Sequence, residues 1–84
     1  MLSIIITYHE EGQNFIQEFI DQIRATIDIP TYEIIVVDDC SKIPLLPIPG
    51  VKIIRHDQQK GVGAGFDTGV AAAQYDNLII AAYL

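Results

Sequence analysis

Little in this sequence is basic: five Lys and Arg stand against eleven Asp and Glu, a formal net charge of −6. Such a chain repels a phosphate backbone, so nucleic acid is not an expected partner. A phosphorylated ligand would have to be held by backbone N–H groups, a metal or a lone Lys. Cysteine is almost missing as well. Cys40 is the only one, which excludes an internal disulfide and suits a reducing compartment. No apolar run reaches the roughly 18–20 residues that span a bilayer. No basic stretch followed by a long apolar core opens the chain, as a secretory signal would require. The expectation is a soluble, cytoplasmic protein.

What is present is aliphatic. Half of the 84 residues are hydrophobic, enough to build one dense core and to argue against disorder. Residues 1–84 are therefore read as a single domain. Residues 2–7, "LSIIIT", form a short β-branched run that predicts a buried strand. "YHEEGQN" interrupts it. Beyond Asn14, a candidate N-cap, Phe15, Ile16, Phe19, Ile20, Ile23 and Ile27 recur at helical spacing until Pro30 marks a stop. "YEIIVVDD" has no alternation and reads as a second strand buried on both faces. A strand, a helix and a strand in that order make a right-handed crossover between parallel strands.

The three prolines of "KIPLLPIPG" forbid a regular helix or a central strand there, which predicts a loop. "VKIIRH" is a third strand. "DQQKGVGAGFDTG" is a glycine-rich turn entering a helix with Phe66, Val70 and Ala73 among its apolar positions, and "NLIIAAYL" is a fourth strand. This alternation implies a layered α/β sandwich.

In an open parallel sheet, ligands bind beyond the carboxyl ends of the strands. Three polar clusters fall at such ends: "TYHEE", "DDCS" and "HDQQKGVGAG". Together they resemble the nucleotide-binding, N-terminal half of GT-A type glycosyltransferases, specifically the large inverting family 2. That family opens with a strand followed by Thr-Tyr-Asn-Glu, where this chain has Thr7, Tyr8, His9 and Glu10. Its second strand ends in Val-Val-Asp-Asp-x-Ser, matched here by "VVDDCS". Its next helix begins with Gly-x-x-x-Ala-x-Asn-x-Gly, of which "GVGAGFDTG" keeps the outer Gly61 and Gly69. The resemblance spans essentially the whole chain. It implies a three-layer α/β/α sandwich with a mostly parallel sheet in the order 3-2-1-4, half of a GT-A fold. It implies a nucleotide-diphosphate sugar as ligand.

The same resemblance implies site residues. Asp39 is expected to accept from the base or ribose, with Asp38 supporting the loop or the sugar side; the alternative is that one of them caps the turn through Ser41. Tyr8 can stack on a base and Thr7 can bond to it, or the Tyr8 ring can simply pack on the first helix with its hydroxyl in water. Glu10 stands in the first cluster, where Glu10 and Glu11 can also serve the start of the helix through its dipole. His9 reads as solvated. Lys60 with Gly61, Gly63 and Gly65 is the diphosphate candidate, because glycines admit close approach and a helix N-terminus offers N–H donors. The alternative is a turn that only closes the crossover. Phe66 and Asp67 depart from the family, which often has Arg or Lys and then Asn.

The family also implies a divalent cation, Mn or Mg, on an Asp-x-Asp pair just after the fourth strand, where it would stabilise the leaving diphosphate. Here either Ala81 to Tyr83 occupy those positions or the pair lies beyond Leu84. The expectation is a truncated donor-binding unit without catalytic residues, inactive alone, whose fourth strand lies at a sheet edge and invites self-association. Three rival readings remain. In a dinucleotide-binding Rossmann domain the glycines would follow the first strand, not the third. A phospho-acceptor receiver domain would place its acidic pair after the first strand. A non-catalytic interaction module would keep the fold without the chemistry.

Overall fold

The computed structural model describes residues 1–81. In chain order they form β1 (Leu2–Tyr8), α1 (Gln13–Thr26), β2 (Tyr32–Asp38), β3 (Val51–Arg55), α2 (Val62–Ala72) and β4 (Leu78–Ala81). All strand pairings are parallel and the sheet order is β3-β2-β1-β4. The aliphatic runs of β1 and β2 occupy the two central positions, where both faces are covered, which is why neither run alternates. Residues 82–84, with the positions Ala82 and Tyr83 considered for the acidic pair, lie outside the described residues.

Each face of the sheet carries one helix. Leu2, Ile4, Ile6 and Tyr8 of β1 and Ile34 and Val36 of β2 meet Ile16 and Ile20 of α1. The opposite face, with Ile5, Thr7 and Val37, lies under α2. The molecule is thus the expected three-layer sandwich. The proline segment forms a loop, as its composition requires, and buries Ile48 beside α1. Gln13 pins it by exchanging two hydrogen bonds with the Leu46 backbone, at 2.8 and 3.3 Å.

Three local expectations are corrected. The N-cap of α1 is Gly12, not Asn14, which already lies inside the helix. Gly12 adopts φ 107°, a left-handed value that glycine reaches without steric cost, and donates its N–H to the Tyr8 hydroxyl at 2.8 Å. That bond closes the β1–α1 turn two residues early. At its other end α1 stops at Thr26, short of Pro30, because Ile27 is already extended.

The third correction concerns α2. Its sheet-facing residues are Gly65 and Gly69, while Val70 is exposed. Glycines four apart share one helix face, and their missing side chains let the helix backbone settle directly on β1. A Cβ at Gly65 would stand 2.8 Å from Thr7 Cγ2, and one at Gly69 would collide with Ile5 Cγ2. Four strand boundaries also move by one residue, since β1 runs on to Tyr8, β2 ends at Asp38, β3 ends at Arg55 and β4 starts at Leu78.

Candidate functional site

The two aspartates that end β2 turn to different partners. Asp38 is buried and its acceptor sites are filled. Its Oδ1 accepts the Ser41 N–H at 3.0 Å and the Ser41 hydroxyl at 2.7 Å. Its Oδ2 accepts the Leu45 N–H at 3.4 Å and Arg55 at 3.1 Å. Arg55, the register partner of Asp38 on β3, also donates to the Ser41 carbonyl at 2.8 Å. Asp38 therefore does cap the turn, and it organises the whole segment from Ser41 to Leu45.

Asp39 reaches the other way, toward the N-terminus of α2. Its Oδ1 lies 2.8 Å from His56 Nδ1 and accepts the Lys60 N–H at 2.8 Å, while Oδ2 accepts the Gly61 N–H at 2.8 Å. Burial by itself would raise the pKa of this carboxyl. The hydrogen bonds from His56, Lys60 and Gly61 outweigh that effect and hold it below the ordinary value of 3.8. Asp39 is thus ionised at neutral pH and clamps the glycine turn. Lys60 and Gly61 meet Asp39 at this point, through their backbone.

Across the end of β1, Tyr8 places its ring in the core and its hydroxyl against Gly12, not in water. Desolvation, with the negative charges of Asp38, Glu11 and Glu10 adding to it, raises its pKa above 10.0 although the Gly12 bond opposes the shift. The phenol stays neutral. Since it accepts from Gly12, its own proton remains to be donated. Thr7 points to the opposite face, beneath Gly65. Successive strand residues face opposite sides, so Thr7 and Tyr8 cannot serve the same surface of the sheet.

Glu10 ties the first two loops together. Its N–H donates to Ser41 Oγ at 2.9 Å, and its Oε1 accepts the Lys42 N–H at 3.2 Å. Glu10 and Cys40 are the non-glycine residues with positive φ, 63° and 62°, among the described residues. Both stand in these facing loops, where such backbone strain concentrates at functional sites. Between them opens a cleft of about 390 Å³ lined by Tyr8, Glu10, Gly12, Gln13, Lys42, Ile43 and Pro44. Neither aspartate is among its walls. His9 lies 3.8 Å from Glu10, part exposed.

Reading the sequence missed Arg55, His56 and Thr68. His56 is buried, with Nε2 2.7 Å from Thr68 Oγ1 as well as Nδ1 on Asp39. A signal was available: an Arg-His pair closing an apolar strand beside one that closes in Asp-Asp brings hydrogen-bond donors alongside the carboxylates. Among the described residues no group of three or more His, Cys, Asp or Glu is disposed to hold a metal ion.

Residues 3–82 match the family model described as glycosyl transferase family 2. The chain belongs to that family. The parallel sheet in the order 3-2-1-4 with a helix on each face is the corresponding part of a GT-A fold. No curated protein matches the chain significantly. Family 2 enzymes take nucleotide sugars as donors and generally use a divalent cation. No helix among the described residues is long and apolar enough to cross a membrane.

Proposed function

We propose that residues 1–84 are the donor-binding half of a family 2 glycosyltransferase. In this reading they hold a nucleotide-diphosphate sugar for transfer to an acceptor hydroxyl and do not turn over alone. One observation carries the reading: a single carboxylate, Asp39, joins the end of β2 to the N-terminal turn of α2. In this reading the nucleoside-side carboxylate and the phosphate-side turn are thereby bonded to each other at the carboxyl ends of the strands, where open parallel sheets bind ligands.

The roles divide by geometry. A carboxylate has about four lone-pair sites. Asp39 uses two on Oδ1 and one on Oδ2, leaving Oδ2 one acceptor position for a base N–H or ribose hydroxyl. Asp38 acts indirectly, by shaping the loop. Tyr8 and Glu10 border the cleft on the β1 side, and Thr7 supports α2 from below. Lys60 and Gly61 lead into the free N–H groups of the first turn of α2, the diphosphate side. The half-exposed Cys40 thiol supports a cytoplasmic location.

The test is calorimetric titration of the protein with uridine and guanosine diphosphates, with and without Mn. Saturable binding is expected, weakened at least about tenfold in Asp39→Asn, which keeps the shape of the side chain but loses its charge. Absence of binding by a folded wild-type protein would refute the donor reading and leave a non-catalytic interaction module.

A further inference from the structure

His56 and Thr68 are not among the site residues that the resemblance implies, yet they complete a chain of hydrogen bonds that ends on Asp39. The chain spans three elements. Asp39 follows β2, His56 follows β3 and donates its backbone N–H to the Asp38 carbonyl at 2.9 Å, and Thr68 lies in α2. Both ring nitrogens are engaged, at 2.8 Å to Asp39 Oδ1 and 2.7 Å to Thr68 Oγ1.

Chemistry sets the direction of this chain. An ionised carboxylate only accepts, so the imidazole must carry a proton on Nδ1. In the neutral ring Nε2 is then an acceptor, and the Thr68 hydroxyl donates to it. The donors on Asp39 come from the end of β3, from the Lys60 backbone and from the N-cap of α2. Without the histidine, Oδ1 would keep only the Lys60 N–H, on the turn it is meant to hold. Among the described residues, His56 is the one donor to Asp39 that is anchored in the sheet independently of that turn.

We propose that His56 is a positioning residue of the donor site, holding the Asp39 carboxylate so that it closes the α2 turn and leaves its free lone pair to the nucleoside, with Thr68 holding the other ring nitrogen in place. The ligand named here rests on the donor reading above; the positioning does not.

A buried histidine that merely fills space makes different predictions. Asparagine places its amide near the Nδ1 position, whereas glutamine places its amide near Nε2. In ¹⁵N-labelled protein, amide exchange at Lys60 and Gly61 should be about tenfold faster in His56→Gln, and within about threefold of wild type in His56→Asn. Exchange at Ile5 and Val36 in the central strands should change in neither variant. Equal exchange at Gly61 in wild type and His56→Gln overturns the proposal, as does an asparagine variant no better protected than the glutamine one. Long-range ¹H–¹⁵N spectra of the wild type need no variant: the Nδ1–H tautomer is expected, and the Nε2–H tautomer overturns it. Uridine diphosphate titration should follow the same order, with about tenfold weaker binding in His56→Gln alone. A wild-type protein that binds no nucleotide removes the donor reading, while the exchange and tautomer results still decide the positioning.

Discussion

Replacing Gly65 by alanine opposes two effects of known sign. Alanine is favoured over glycine in a helix interior by about 1 kcal/mol. Against this, the new methyl would stand 2.8 Å from Thr7 Cγ2, closer than a carbon pair tolerates, although its 3.5 Å distance to Thr7 Cβ is ordinary contact. Overpacking of this kind costs about 1–3 kcal/mol, because helix and strand are each held by other contacts and cannot simply part. We expect a net loss of about 1 kcal/mol, read as a lower midpoint of urea unfolding by circular dichroism with an unchanged slope.

The offending atom can be removed. Thr7→Ser deletes Cγ2 and keeps the hydroxyl, so in that background Gly65→Ala should be neutral or stabilising, a coupling of about 1–2 kcal/mol between the two sites. Gly63, where a Cβ meets nothing within 4 Å, is the control, and Gly63→Ala should gain about 0.5 kcal/mol. Gly65→Ala at wild-type stability or above, or strict additivity with Thr7→Ser, would refute close backbone packing of α2 on β1.

Three further outcomes are expected. Asp38→Ala leaves the Ser41 and Leu45 donors and the Arg55 guanidinium without their carboxylate, and should lower the urea-derived stability by about 2–3 kcal/mol; the half-exposed Arg55 keeps the loss below that of a fully buried pair. Asp39 has a folded pKa depressed below 3.8, so its contribution to stability is present above that pH and disappears as pH falls through the lower folded value. Acid titration of the unfolding midpoint should show this loss in wild type and not in Asp39→Asn. Leu78, Ile79 and Ile80 are exposed on the edge strand β4, so the protein should self-associate; sedimentation should show dimers that Ile80→Lys disperses, and a wild-type monomer at high concentration would end that expectation.

The aliphatic runs of β1 and β2 were legible because a strand buried on both faces needs no polar alternation, and the proline loop because a ring without an N–H cannot join a central ladder. The start of α1 was misread: Asn14 has a good capping side chain, but the Tyr8 hydroxyl and the positive φ of Gly12 turned the chain earlier. The apolar face of α2 was misread for a related reason. Periodicity counts side chains, and the buried stripe of that helix consists of Gly65 and Gly69, which have none.

The sequence alone carries the order of elements, the parallel, layered α/β class and the presence of two carboxylates at the end of an apolar strand. Local polarity and steric rules suffice for these, since each depends on residues adjacent along the chain. What the carboxylates do follows from their tertiary contacts. Asp38 and Asp39 differ by one position, yet one finds Ser41 three residues on and the other finds His56 and Gly61, 17 and 22 residues away. Which distant donor arrives at a given oxygen is set by how β3 and α2 come to rest against β2.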